Sequence, residues 1–83
     1  MEKFEVKIIQ SGPIVTVQVY DKDLNVEVGI GEKLEDAIAQ VVSKVCLKKL
    51  YDPKNGKALE LLKEFSKTAD ADILFEKTLK LLE

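Results

Sequence analysis

Residues 4–30 read FEVKIIQSGPIVTVQVYDKDLNVEVGI, and apolar residues recur in them at every second position. Phe4, Val6 and Ile8 share one parity, followed by Val15, Val17 and Val19 and then by Val26, Val28 and Ile30. Alternation of β-branched residues with this period marks half-buried strands, because successive side chains leave a strand on opposite faces. Ser11-Gly12-Pro13 and Asp21-Lys22-Asp23-Leu24-Asn25 interrupt the pattern with turn-forming residues, and both breaks are too short for a crossover connection. The stretch therefore predicts three sequential antiparallel strands. Facing the apolar sets across the turns pairs Ile8 with Val15, Val6 with Val17 and Phe4 with Val19, then Val19 with Val26 and Val17 with Val28. On this register all three strands share one buried face. The opposite face carries Glu5, Lys7, Ile9, Thr16, Gln18, Tyr20, Glu27 and Gly29, a mixture suited to a solvated antiparallel sheet.

Beyond Gly29 and Gly31 the period changes to 3.6. Leu34, Ala37, Ile38, Val41, Val42 and Val45 fall on one helical stripe, which should cover the sheet. From Leu47 onward the stripe moves: Leu47, Leu50 and Tyr51 point to the far side, so the helix is expected to outrun the sheet. Asp52-Pro53 ends it, because proline lacks the donor a helix needs and disfavours α conformation in the residue before it. A second helix is expected from Asp52-Pro53, or one turn later from Asn55, burying Ala58, Leu59, Leu61, Leu62 and Phe65. Residues 68–72, Thr-Ala-Asp-Ala-Asp, read as a break and a new N-cap before a third helix over 73–82, with one continuous helix as the runner-up. In that last helix Phe75, Leu79 and Leu82 form one apolar flank, and Leu74 and Leu81 an adjoining one. The fold class is α+β, of order βββααα: a three-stranded antiparallel meander followed by two or three helices packed on one face.

With 83 residues the chain supports one small globular domain, residues 1–83, since a single core consumes most of so short a sequence. Hydrophobic residues at 46% and 13 basic against 15 acidic residues set it apart from a disordered tail. The first residues are charged where a secretory signal needs an apolar run, and no apolar stretch approaches the roughly 18 residues of a membrane span. Together with a lone cysteine, Cys46, these features lead to an expectation of a cytoplasmic protein with no membrane contact. All thirteen basic residues are lysine, and a Lys/Glu-rich, Arg-free composition suits either a thermophile or an AT-rich genome.

Catalytic and metal chemistry find little support. Histidine is absent, so His-based zinc sites and Ser-His or Cys-His nucleophiles lack their residues. Asp21, Asp23, Asn25, Glu27 and Glu32 are spaced like part of a calcium loop, but Val26 stands where the sharp turn requires glycine and the preceding segment alternates like a strand. An acidic turn explains them, and no metal is expected. Glu32, Glu35 and Asp36 fit the first turn of a helix for dipole reasons. With no histidine, activating Cys46 would need a lysine or a helix N-terminus, whereas it falls in the C-terminal half of a helix, so it reads as a structural thiol. No catalytic residue and no cofactor are expected, and no motif in the chain is specific enough to name a family.

Two surfaces remain for function. A chain of this size buries only about 60–65% of its unfolded surface, so its surplus apolar residues call for a partner. Leu47, Leu50, Tyr51, Leu74 and Leu81 are the candidate interface of a non-enzymatic interaction module, expected to act through protein–protein contacts as a homodimer. The alternative uses residues 44–57, where Lys44, Lys48, Lys49, Lys54 and Lys57 stand against Asp52 alone, as a nucleic-acid or anion contact. The absence of arginine, the lack of aromatic residues alternating with the lysines and a pI near 5.2 argue against that alternative.

Overall fold

The computed structural model describes residues 5–20, 26–49 and 56–83. Three strands, β1 (Glu5–Ser11), β2 (Ile14–Tyr20) and β3 (Val26–Gly31), are followed by helices α1 (Leu34–Lys49), α2 (Gly56–Phe65) and α3 (Ala71–Leu82). The strands pair antiparallel in the order β1-β2-β3, as the alternation and the short turns predict. Among the described residues no helix is long and apolar enough to cross a membrane.

Both registers differ from the expected ones, for different reasons. In the first hairpin Ile8 lies opposite Val17 and Val6 opposite Val19, two residues away from the predicted pairing. The expected register would have set Pro13, which has no N–H, opposite Gln10. Instead Ser11 faces Ile14, and Gly12 and Pro13 form a two-residue turn. Gly12 there adopts φ 60°, a left-handed conformation that glycine reaches without a Cβ penalty. A slip of two preserves the faces, so Val15, Val17 and Val19 are buried while Thr16 and Gln18 point the other way.

The second hairpin slips by one residue, which turns β3 over. Val19 faces Glu27, Val17 faces Gly29 and Val15 faces Gly31. Val26, Val28 and Ile30 therefore sit on the outer face with Thr16, Gln18 and Tyr20, contrary to the expectation of one apolar face shared by all three strands. The cause is the approach of α1. A Cβ on Gly29 would lie 2.0 Å from the Ala37 carbonyl oxygen and 2.8 Å from Val41 Cγ2, and one on Gly31 would lie 2.9 Å from Asp36 Cβ. Only residues without side chains let the helix backbone come this close.

Among the described residues α1 packs on β2 and β3, α3 packs on α1, and α2 contacts α1 and α3. The predicted stripe of α1 is buried from Ala37 to Val45, with Leu34 partly buried at its start. Ala39, Ser43 and Cys46, outside that stripe, are buried as well, because α1 is covered from two sides. Leu61, Leu62 and Phe65 of α2 join the same core. The break before α3 is real. Ser66 and Thr68 donate their hydroxyls to the carbonyls of Lys63 and Phe65, and the Asp70 carboxylate caps α3 by accepting from the N–H groups of Asp72 and Ile73. The new helix starts at Ala71, two residues earlier than expected, and the continuous-helix reading falls.

Candidate functional site

Of the five candidate interface residues, Leu50 and Tyr51 lie outside the described residues. Leu47 is 67% exposed on α1 and Leu81 is 51% exposed on α3. Leu74 corrects the expectation: it is fully buried and belongs to the core, because α3 turns it toward α1. The internal helical layer consumes it, and it presents nothing to a partner. Beside it Thr78 is also fully buried, and its hydroxyl has no hydrogen-bond partner among the described residues.

The lysines of residues 44–57 divide between two situations. Lys54 lies outside the described residues, and only the backbone of Lys49 and Lys57 is described, in α1 and α2. Lys44 and Lys48 both reach β3. Lys44 Nζ donates to the Val28 carbonyl at 2.6 Å, and Lys48 forms an ion pair with Glu27, whose side chain the one-residue slip has turned toward the helix. Gln40, one turn before Lys44, accepts through Oε1 from the Ile30 N–H at 3.1 Å. A row of α1 side chains thus occupies the free edge of β3 and satisfies backbone groups that no fourth strand pairs.

β1 has no such cover. Among the described residues it contacts β2 alone, and every one of its residues is exposed. Val6 and Ile8, on the helix side of the sheet, are 40% and 41% exposed, because α1 lies over β2 and β3 and stops short of them. On the outer face Ile9, Ile14, Val26 and Ile30 are exposed as well, with Ile9, Thr16 and Ile30 in one cross-strand row. This surface is legible in part: parity places Ile9 outward, whereas it places Val26 and Ile30 inward, which the structure corrects. The signal that could have placed them is the alternation of Gly29 and Gly31, two glycines at every second position on the face that meets the helix.

A shallow groove between α1 and α3 is lined by Asp36, Gln40, Ile73, Lys77, Lys80 and Leu81 among others. Its Asp36 and Lys77 are ion-paired to one another across the helices, so the acid and the base balance locally. Among the described residues no cluster of acidic or cysteine side chains could hold a metal ion. Asp21, Asp23 and Asn25 of the calcium-like spacing lie outside them, and Glu27 is engaged with Lys48. Set beside known proteins, the chain matches no family model, no curated protein and no solved structure.

Proposed function

We propose that this chain is a non-enzymatic interaction module that works through protein–protein contacts and self-associates as a homodimer. The observation that carries the reading is the uncovered apolar surface of the sheet. Val6 and Ile8 on one side of β1, and Ile9, Ile14, Val26 and Ile30 on the other face, are all exposed in the single chain. Isolated exposed apolar residues are ordinary on a small protein, but a grouped set on an open sheet is a surface that association would cover. Two-fold pairing would let one patch serve both copies. A cytoplasmic setting belongs to the same reading and is supported by a composition with one cysteine, which builds no internal disulfide.

Light scattering on the full chain should return twice the chain mass, with circular dichroism of a folded α+β protein. A monomer at high micromolar concentration would overturn the homodimer. The second reading, a nucleic-acid contact through Lys44, Lys48, Lys49, Lys54 and Lys57, draws on the excess of positive charge in residues 44–57. It is weakened by the commitment of Lys44 and Lys48 to β3 and by the apolar character of the outer sheet face. A salt-sensitive retardation of DNA that disappears when these lysines are replaced would favour it.

A further inference from the structure

We propose that the free edge of β1 is the seam of the homodimer. In this arrangement β1 pairs antiparallel with β1 of a second copy about a two-fold axis at Val6, joining two three-stranded sheets into one of six strands. The proposal rests on the self-association inferred above and specifies where and how it occurs.

The direction of the backbone groups can be followed across the sheet. Val28 presents its carbonyl and Ile30 its N–H to α1 side chains, so these two residues of β3 point away from β2. In an antiparallel ladder the residues alternate between pairing inward and pointing outward. Glu27, Gly29 and Gly31 therefore bond to Val19, Val17 and Val15, and the intervening β2 residues Ile14, Thr16, Gln18 and Tyr20 bond to β1. Their partners in β1 are Ser11, Ile9, Lys7 and Glu5. That leaves Val6, Ile8 and Gln10 with N–H and C=O groups directed out from the edge. The two-residue turn gives the same answer independently, since the pair flanking it, Ser11 and Ile14, is a hydrogen-bonded one.

The two edges of the sheet thus carry the same kind of unpaired groups and are handled differently. On β3, Gln40 and Lys44 occupy them. On β1 nothing does among the described residues, and an unprotected strand edge is a template for another strand. The partner's chemistry follows from the charges. Two copies pair symmetrically only if outward residues meet outward residues, which allows an axis at any position from Val6 to Gln10. An axis at Lys7 opposes two lysines, and axes at Ile8, Ile9 or Gln10 leave Glu5 and Lys7 without opposite charges. An axis at Val6 sets Glu5 of each copy opposite the partner's Lys7, twice, with Val6 facing the partner's Val6 on the helix side. Read along the sequence alone, it also sets Ile8 against Phe4. Because the axis stands perpendicular to the sheet, both helical layers fall on one side. Val6 and Ile8 of the two copies then form one apolar floor between them.

Charge variants and a backbone variant test the seam. Glu5→Lys and Lys7→Glu each set like charges opposite one another in their own homodimer, and each should weaken self-association about tenfold. Mixed in equal amounts they should recover it, since one chain is then basic and the other acidic at both positions. Val6→Pro removes an outward donor at the axis while sparing the ladder to β2, and should give a monomer with unchanged circular dichroism. Should that variant unfold, the charge pair decides alone. A parent that is dimeric while both charge variants self-associate as strongly as it does, or whose mixture gains nothing, overturns the seam and leaves self-association standing. A parent that is monomeric at about 100 μM removes the homodimer reading itself, and the seam with it.

Discussion

β1 and β3 are the two edges of one sheet, and both are rich in β-branched residues, yet the protein uses them in opposite ways. β3 directs its glycines at α1, receives Gln40 and Lys44 on its backbone edge and turns Val26 and Ile30 to solvent. β1 keeps its apolar parity toward the helical side, yet among the described residues it contacts β2 alone. The difference teaches that coverage follows the line along which a helix can come close. α1 settles where the strand offers glycine, and apolarity alone did not draw it over Val6 and Ile8. A strand that reads as core can thereby become a surface, and a pair of glycines can be the true inner face.

The largest effect should come from denying the close approach. Gly29→Val places atoms where the Ala37 carbonyl stands, and we expect a loss of about 3 kcal/mol or more in a denaturant titration. Were the inner face of β3 apolar in the ordinary sense, the same change would stabilise. A second test compares two β-branched residues directly. Val17→Ala in β2 should cost about 2 kcal/mol through lost burial and a cavity, whereas Ile30→Ala, at a position 52% exposed, should stay within about 0.5 kcal/mol. Equal midpoint shifts would restore the single apolar face.

The other side of α1 offers a contrast in sign. Where β3 meets α1 through glycines, α3, which packs on α1 and α2, buries Thr78, whose hydroxyl lacks a hydrogen-bond partner among the described residues. Thr78→Val keeps the shape and removes the polar atom, so the thermal midpoint should rise, by an equivalent of about 1 kcal/mol. A fall would mean that the hydroxyl is satisfied. The smallest effect is expected at the β3 edge itself, where Gln40→Ala should cost about 0.5–1 kcal/mol, the net worth of one exposed hydrogen bond. Its sharper consequence is topological: with β3 partly uncovered as β1 is, light scattering should show species larger than the parent assembly.

Legibility in the sequence followed the range of the interaction involved. Strand positions, helix positions, the α1 stripe and the break with a new N-cap within residues 68–72 depend on residues within a turn or two of one another, and each is readable from spacing and side-chain type, whereas the capping residue itself, Asp70, is not singled out. The first register differs by two residues because matching apolar sets alone keeps Pro13 in the ladder, and proline chemistry excludes it from there. The second differs by one because the apolar alternation points Val28 inward, and only the alternation of Gly29 and Gly31, a weaker signal than the valines, points the other way. Leu74 and Leu81 looked alike as apolar helix residues, and only the side on which α1 arrived separated a core leucine from an exposed one. The edge of β1, uncovered among the described residues, is likewise not legible in the sequence, since an edge is defined by what fails to pack against it.

Spacing and side-chain type are enough for an α+β chain of three antiparallel strands followed by two or three helices, with Val15, Val17 and Val19 inside. The short period of each pattern is set by backbone geometry, and no distant partner can change which residues share a face within one element. Packing between distant segments settles which face of β3 turns inward, which helix residues are spent on one another, and which sheet edge stays open among the described residues. Those outcomes depend on how closely α1 can approach residues far away in the chain. That distance is governed by the missing side chains of Gly29 and Gly31, which no count of apolar residues records.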